Sequence, residues 1–88
     1  MSNASLFGTN LRFIRMHKAI TQKKLSDMTG INAANISAYE KGVNHPSLDV
    51  ACRIADALEI GIDKFVTIDL TAEQKELDNK RWRMINGN

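Results

Sequence analysis

The side chains in this sequence that could do chemistry are amides and cations, not paired acids and bases. Asn32 and Asn35 stand among small residues, Ala33, Ala34, Ser37 and Ala38, with Lys23, Lys24 and Lys41 to either side. An amide presents a donor and an acceptor together, the pattern that matches an adenine edge, and Asn35 has no capping duty to divert it. Asn32 stands where a helix begins, so capping is its first role and base contact its second. Lys23 and Lys24 read either as a solvated face or as phosphate contacts. His45, in a loop before Pro46, reads as a phosphate or solvent contact. Covalent catalysis has no comparable support: there is no carboxylate pair, no nucleophile with a partnered base and no phosphate-binding glycine loop. One cysteine, Cys52, excludes an internal disulfide, and with only two histidines, far apart, it makes no zinc site; no metal or cofactor is expected. Cys52 reads as a small core residue.

Such residues need elements to hold them, and the stretch from Thr21 to Gly42 reads as two short helices around a turn at Gly30. Thr21 is a good N-cap, and Gly30 stands where a chain leaving a helix favours a left-handed backbone. Leu25 and Met28 give the first of these helices a buried edge; Ile36 and Tyr39 give the second its inward face. The outward face of the second helix is then small and uncharged, which suits a nucleic-acid groove better than a catalytic site. This is a helix-turn-helix. Before it, Phe7, Leu11 and Ile14 at i, i+4 and i+7 predict an amphipathic helix from about Ser5 to His17. After it, Ser47 caps a fourth helix with Asp49 near its positive end and a buried stripe of Leu48, Ala51, Ala55 and Leu58. Residues 61–66 predict a short fifth helix that covers the core with Ile62, Phe65 and Val66.

The class is all-α, with residues 5–68 as one domain, residues 1–4 as a loose terminus or cloning scar, and residues 69–88 as a helical extension. In the extension Thr71 and Gln74 carry a capping-box signature, which predicts a sixth helix from about Ala72 to Met84. Its few apolar residues, Leu77, Trp82, Met84 and Ile85, make no complete face, so it is expected to need a partner surface. Eighty-eight residues at 43% hydrophobic support a single core. No apolar run approaches a membrane span and no signal peptide is visible, so a cytoplasmic protein with no membrane partner is expected. Net charge is only +2, but it is unevenly placed. Residues 1–46 hold six cations against two anions, a balance of +4, whereas residues 47–88 hold six against eight, a balance of −2.

Beyond these readings, the chain resembles the lambda-repressor-like DNA-binding domains of Cro, phage repressors and Xre-type bacterial regulators. Phe7, Gly8, Leu11, Ile14 and Arg15 match the first helix of that family, and Thr21, Gln22 and Leu25 through Gly30 match its second. Ile36-Ser37, Tyr39-Glu40 and Gly42 match its third-helix signature; Pro46-Ser47-Leu48, Ile54-Ala55 and Ala57-Leu58 match its fourth. The resemblance implies that Gln22 sets its side chain and backbone N–H against a phosphate. It implies that Ala33, Ala34 and Ala38 meet base edges with Asn32 and Asn35 beside them, and that Lys41, Asn44 and His45 lie in an exit region touching backbone. It also implies a structural ion pair between Arg15 and Glu40. Three departures are specific to this chain. Ala33 replaces a glutamine that in relatives pairs with the residue at Gln22, Phe13 is apolar at an outward position of the first helix, and Glu59 stands where the family usually ends its fourth helix with glycine.

The function expected is a sequence-specific double-stranded DNA-binding regulator, a repressor or antitoxin-like autoregulator of bacterial or phage origin, working as a homodimer. The alternative is a module that keeps the fold and binds a protein partner, a toxin or a regulator, through the alanine-lined helix. For the dimer, Phe13 and the tail are the expected surfaces, with the tail packed on the fifth helix and across a two-fold axis.

Overall fold

The computed structural model describes residues 3–67 and 69–72. The helices among them are α1 (Asn3–His17), α2 (Gln22–Thr29), α3 (Ala33–Lys41), α4 (Leu48–Ala57) and α5 (Ile62–Thr67). No strand occurs among the described residues. Side-chain oxygens decide where three of the helices begin. Thr21 accepts from the backbone N–H of Lys24 at 3.0 Å, Asn32 from Ala34 at 2.7 Å and Ser47 from Val50 at 3.3 Å. Each bond satisfies a donor that the first helical turn leaves without a partner. The first helix begins at Asn3, two residues before the expected start.

Left-handed residues decide where four of them end. Gly30 and Gly42 both have φ of 74°, and Ala19 and Glu59 take φ of 57° and 60° without being glycine. After α4, the Glu59 N–H donates to the Asp56 carbonyl at 3.1 Å and the Ile60 N–H to Ala55 at 3.0 Å. After α1, Ala19 donates to Met16 and Ile20 to Arg15, both at 3.0 Å. These paired bonds are the Schellman arrangement, which requires a left-handed residue just past the helix.

The core is Phe7 and Leu11 of α1, Leu25 of α2, Ile36 of α3, Ala51, Ile54 and Ala55 of α4, with Ile31, Leu58 and Phe65. Each large side chain removed from water here is worth roughly 1.5–3 kcal/mol. Phe7 and Phe65 lie with ring centroids 5.2 Å apart, fastening α5 to α1. α1 packs on α3 and α5, α2 on α3 and α4, and α4 on α5.

Several sequence expectations need correction. Met28 is exposed; the residue buried one turn from Leu25 is Thr29, whose hydroxyl donates to the Leu25 carbonyl at 2.7 Å and accepts from the Ile31 N–H at 3.2 Å. Leu48 is not in the buried stripe of α4 but 73% exposed, and Ile54 fills the stripe instead. Phe13 has an intrachain contact, stacking on His17 one turn later with centroids 5.2 Å apart. The chain becomes helical again at Thr71, but the capping oxygen is that of Asp69, which accepts from the Thr71 N–H at 3.0 Å. Leu77, Trp82, Met84 and Ile85, and the rest of the expected sixth helix, lie outside the described residues.

Candidate nucleic-acid interface

Ile36 is fully buried and Tyr39 half-buried on the core, so α3 is anchored by one edge. On the rest of its surface Ala34, Asn35 and Lys41 are exposed, and Ala33, Ser37 and Ala38 are half-buried. Asn32 is exposed, with its Oδ1 committed to the cap. Lys23 is exposed on α2, and Asn44 and His45 are exposed in the turn after α3.

Two devices fix α3 against the helices behind it. At Gly8, a Cβ would run into the Tyr39 carbonyl oxygen and sit 3.1 Å from that of Glu40, so glycine allows α1 to lie against the backbone of α3. Two turns further along α1, Arg15 Nε donates to Glu40 Oε2 at 2.6 Å and Nη2 to Oε1 at 3.0 Å, a two-bond ion pair. Arg15 Nη1 donates to the Ile20 carbonyl at 2.8 Å. The side chains of the pair are 13% and 4% exposed. The hydrogen bonding of Arg15 to the Glu40 carboxylate raises the Arg15 pKa above the usual guanidinium value, outweighing the opposing effect of burial, with the charge attraction of Glu40 adding to it.

Gln22, the residue whose family partner is replaced by Ala33, turns to the same carboxylate. Its Nε2 donates to Glu40 Oε1 at 3.2 Å. Glu40 thereby ties the start of α2 and the last turn of α1 to the end of α3.

Around this junction lies a polar recess of about 300 Å³ lined by Arg12, Arg15, Gln22, Ser37, Glu40 and Lys41. Glu40 takes up the charge of Arg15, so Arg12 and Lys41 leave the recess with an excess of positive charge. The opening of α2 and the last turn of α3 therefore share one cationic hollow, suited to a phosphodiester anion. Gln22, Ser37 and Lys41 meet there. His45 instead lines an apolar groove with Phe7, Pro46 and Leu48. Arg12 was not singled out in the sequence; the available signal was its place three residues before Arg15, on the same face of α1.

A family profile described as Helix-turn-helix matches residues 11–65. The chain is similar to the cryptic phage CTXphi transcriptional repressor RstR of Vibrio cholerae serotype O1, 38% identical over 68 residues that cover 75% of this chain and 61% of that protein. It is also similar to the uncharacterized HTH-type transcriptional regulator YqaE of Bacillus subtilis, 31% identical over 58 residues, 66% of this chain and 50% of that one. The chain therefore spans less than two thirds of the length of these curated relatives. Among solved structures it is similar to the restriction-modification controller protein C.AhdI from Aeromonas hydrophila, with a TM-score of 0.67 and 27% identity over 70% of this chain and 94% of that one.

Proposed function

The chain belongs to the helix-turn-helix family of DNA-binding transcriptional regulators, and on that premise we propose that it is a sequence-specific repressor acting as a homodimer on double-stranded DNA. The observation that carries the reading is α3 itself, held at one end by the Arg15–Glu40–Gln22 junction while its small, uncharged surface stays open beside a cationic recess. In the proposed complex each copy lays α3 in a major groove, with half-sites about 34 Å apart. Gln22, Lys23, Lys41 and Arg12 meet phosphates, with Asn44 and His45 beside the backbone at the exit from α3. Asn35 reads a base edge, Asn32 stands beside it at the cap, and Ala33, Ala34 and Ala38 pack against thymine methyls. Much of the specificity then rests on DNA shape, because alanine has no hydrogen-bonding code. Repression is steric, by occupying a promoter. Similarity to a protein named as a transcriptional repressor supports this sign of regulation.

Titrating salt against binding to a random duplex tests the core of the reading. Affinity should fall linearly with salt on logarithmic axes, with a slope set by the number of phosphates neutralised. Absence of binding even at low salt would sink it. Selection of bound sites from a random DNA pool should return paired half-sites.

A further inference from the structure

The balance of −2 over residues 47–88 conceals a second division of charge. Residues 47–78 hold Arg53, Lys64 and Lys75 against eight acids, a balance of −5, whereas residues 79–88 hold Lys80, Arg81 and Arg83 and no acid, a balance of +3. The three cations fall within four positions, with Trp82 among them. A guanidinium grips a phosphate with two bonds at once, and an indole N–H adds one more donor. Such a cluster is suited to a polyanion.

The fold delivers that cluster to a particular place. Past α5 the chain is fastened to α1, where the fully buried Asn10 accepts at Oδ1 from the Leu70 N–H at 3.0 Å. Asp69 then caps a helical start, its Oδ1 accepting from the Thr71 N–H at 3.0 Å and its carbonyl from the Ala72 N–H at 3.1 Å. Thr71 lines an open hollow with Thr9, Arg12, Phe13, Met16 and Glu40. Arg12 and Glu40 also line the cationic recess, so the two hollows adjoin. From Ala72 to Lys80 is eight residues, about 12 Å as helix and at most about 27 Å extended. Each DNA strand carries a phosphate per roughly 3.4 Å of axis, so either length brings phosphates beyond those of the recess within reach.

We propose that Lys80, Arg81 and Arg83 form a second DNA contact, which grips the phosphate backbone of the flanking duplex and adds affinity without sequence preference. The proposal rests on the DNA-binding reading above and extends it to a surface outside the helix-turn-helix. Within the chain, the competing destination is the acidic side chains of α4 and α5. Those helices contribute no residue to either hollow, and the fastening to α1 starts the segment beside Arg12.

The test uses the full chain and a long random duplex. Wild type and the triple variant Lys80→Gln, Arg81→Gln, Arg83→Gln are titrated with salt, and the slope of log affinity against log salt counts the phosphates neutralised. At about 0.9 per phosphate, the slope of the variant should be shallower by about 2–3, with its melting temperature unchanged. Trp82 is the one tryptophan in the sequence, so its emission reports on the cluster alone. Emission should change as duplex is added, return as salt rises, and stop responding in the variant. Site selection should give both proteins the same consensus. If the variant keeps the wild-type slope, or Trp82 stays silent while labelled duplex binds, the cluster is not a DNA contact and the helix-turn-helix reading stands. A variant that melts early with its slope intact would put the cluster on the acids of its own domain instead. If the wild type binds no duplex at low salt, the DNA-binding reading and the second contact fall together.

Discussion

Glu40 accepts three hydrogen bonds from two other helices, two from Arg15 of α1 and one from Gln22 of α2. Removing its carboxylate strands an arginine whose side chain is mostly shielded from water, a loss on the order of 3 kcal/mol. Glu40→Ala should therefore lower the melting temperature by many degrees before any change in DNA preference is seen; normal stability with lost binding would contradict the structural role. The pair should add no pH dependence near neutrality. A base whose folded pKa is raised keeps its stabilisation below the unfolded value and loses it only as pH rises through the folded one, beyond the ordinary guanidinium range. Asn35 lies at the opposite extreme, exposed on α3 and joined to nothing else in the argument for stability. Asn35→Ala should leave thermal melting unchanged, cost about 1–3 kcal/mol at the preferred site and relax selectivity at one base pair. Uniform weakening on every sequence in a competition assay would make Asn35 a phosphate contact instead.

Helix ends and one buried amide govern the next scale. Glu59 is exposed and holds φ of 60°, a conformation glycine adopts without a Cβ penalty. Glu59→Gly should raise stability by about 0.5–1 kcal/mol, since the strain relieved exceeds the extra freedom given to the unfolded chain; a denaturant midpoint that falls would show no strain at this corner. Asn10, fully buried on α1, donates from Nδ2 to the Phe65 carbonyl at 2.9 Å and accepts at Oδ1 from the Leu70 N–H at 3.0 Å. It joins α1 to the last turn of α5, where carbonyls lack helical partners, and to the chain beyond. Asn10→Asp keeps the acceptor and loses the donor unless protonated. Burial favours the neutral acid, so the folded pKa of that carboxyl should rise and stability should fall as pH climbs from about 4 toward neutrality, the reverse of the usual acid denaturation. Urea melts at two pH values would check this. Capping residues and core spacing were legible in the sequence because their chemistry is local. Thr29 and Asn10 were not, because they are polar residues whose partners lie on the backbone, where hydropathy gives no signal. Leu48 misled for a different reason: a stripe of apolar residues gives the direction of burial but not where the covering surface ends. At the interface, the face of α3 could be read from spacing, while the turn of Gln22 toward Glu40 depends on a carboxylate eighteen residues away and on α1 behind it.

At the scale of the whole molecule, charge is divided along the chain, +4 over residues 1–46 and −2 over residues 47–88. Such a division orients the domain as it approaches a polyanion, with α2 and α3 forward and α4 and α5 turned away. In the proposed homodimer the two copies of α3 would keep a fixed separation. Inserting about five base pairs between half-sites rotates the second to the far side of the duplex, and affinity should drop to that of one domain. Fluorescence anisotropy on a spacer series would measure it; equal affinity at every spacing would mean that the copies bind independently.

The close approach at Gly8 has a consequence for redesign. α3 is located by its backbone carbonyls against α1, by Ile36 and Tyr39 in the core, and by the Glu40 carboxylate. Ala34 and Asn35 take no part in that fixing, nor do their side chains bond to any other side chain or backbone group among the described residues. On the proposed reading, operator preference and foldability are written in separate letters of the same nine-residue helix. A library that randomises Ala34, Asn35 and Ala38 should yield mostly folded proteins with many different targets, whereas one that includes Gly8 or Glu40 should be dominated by members that never fold.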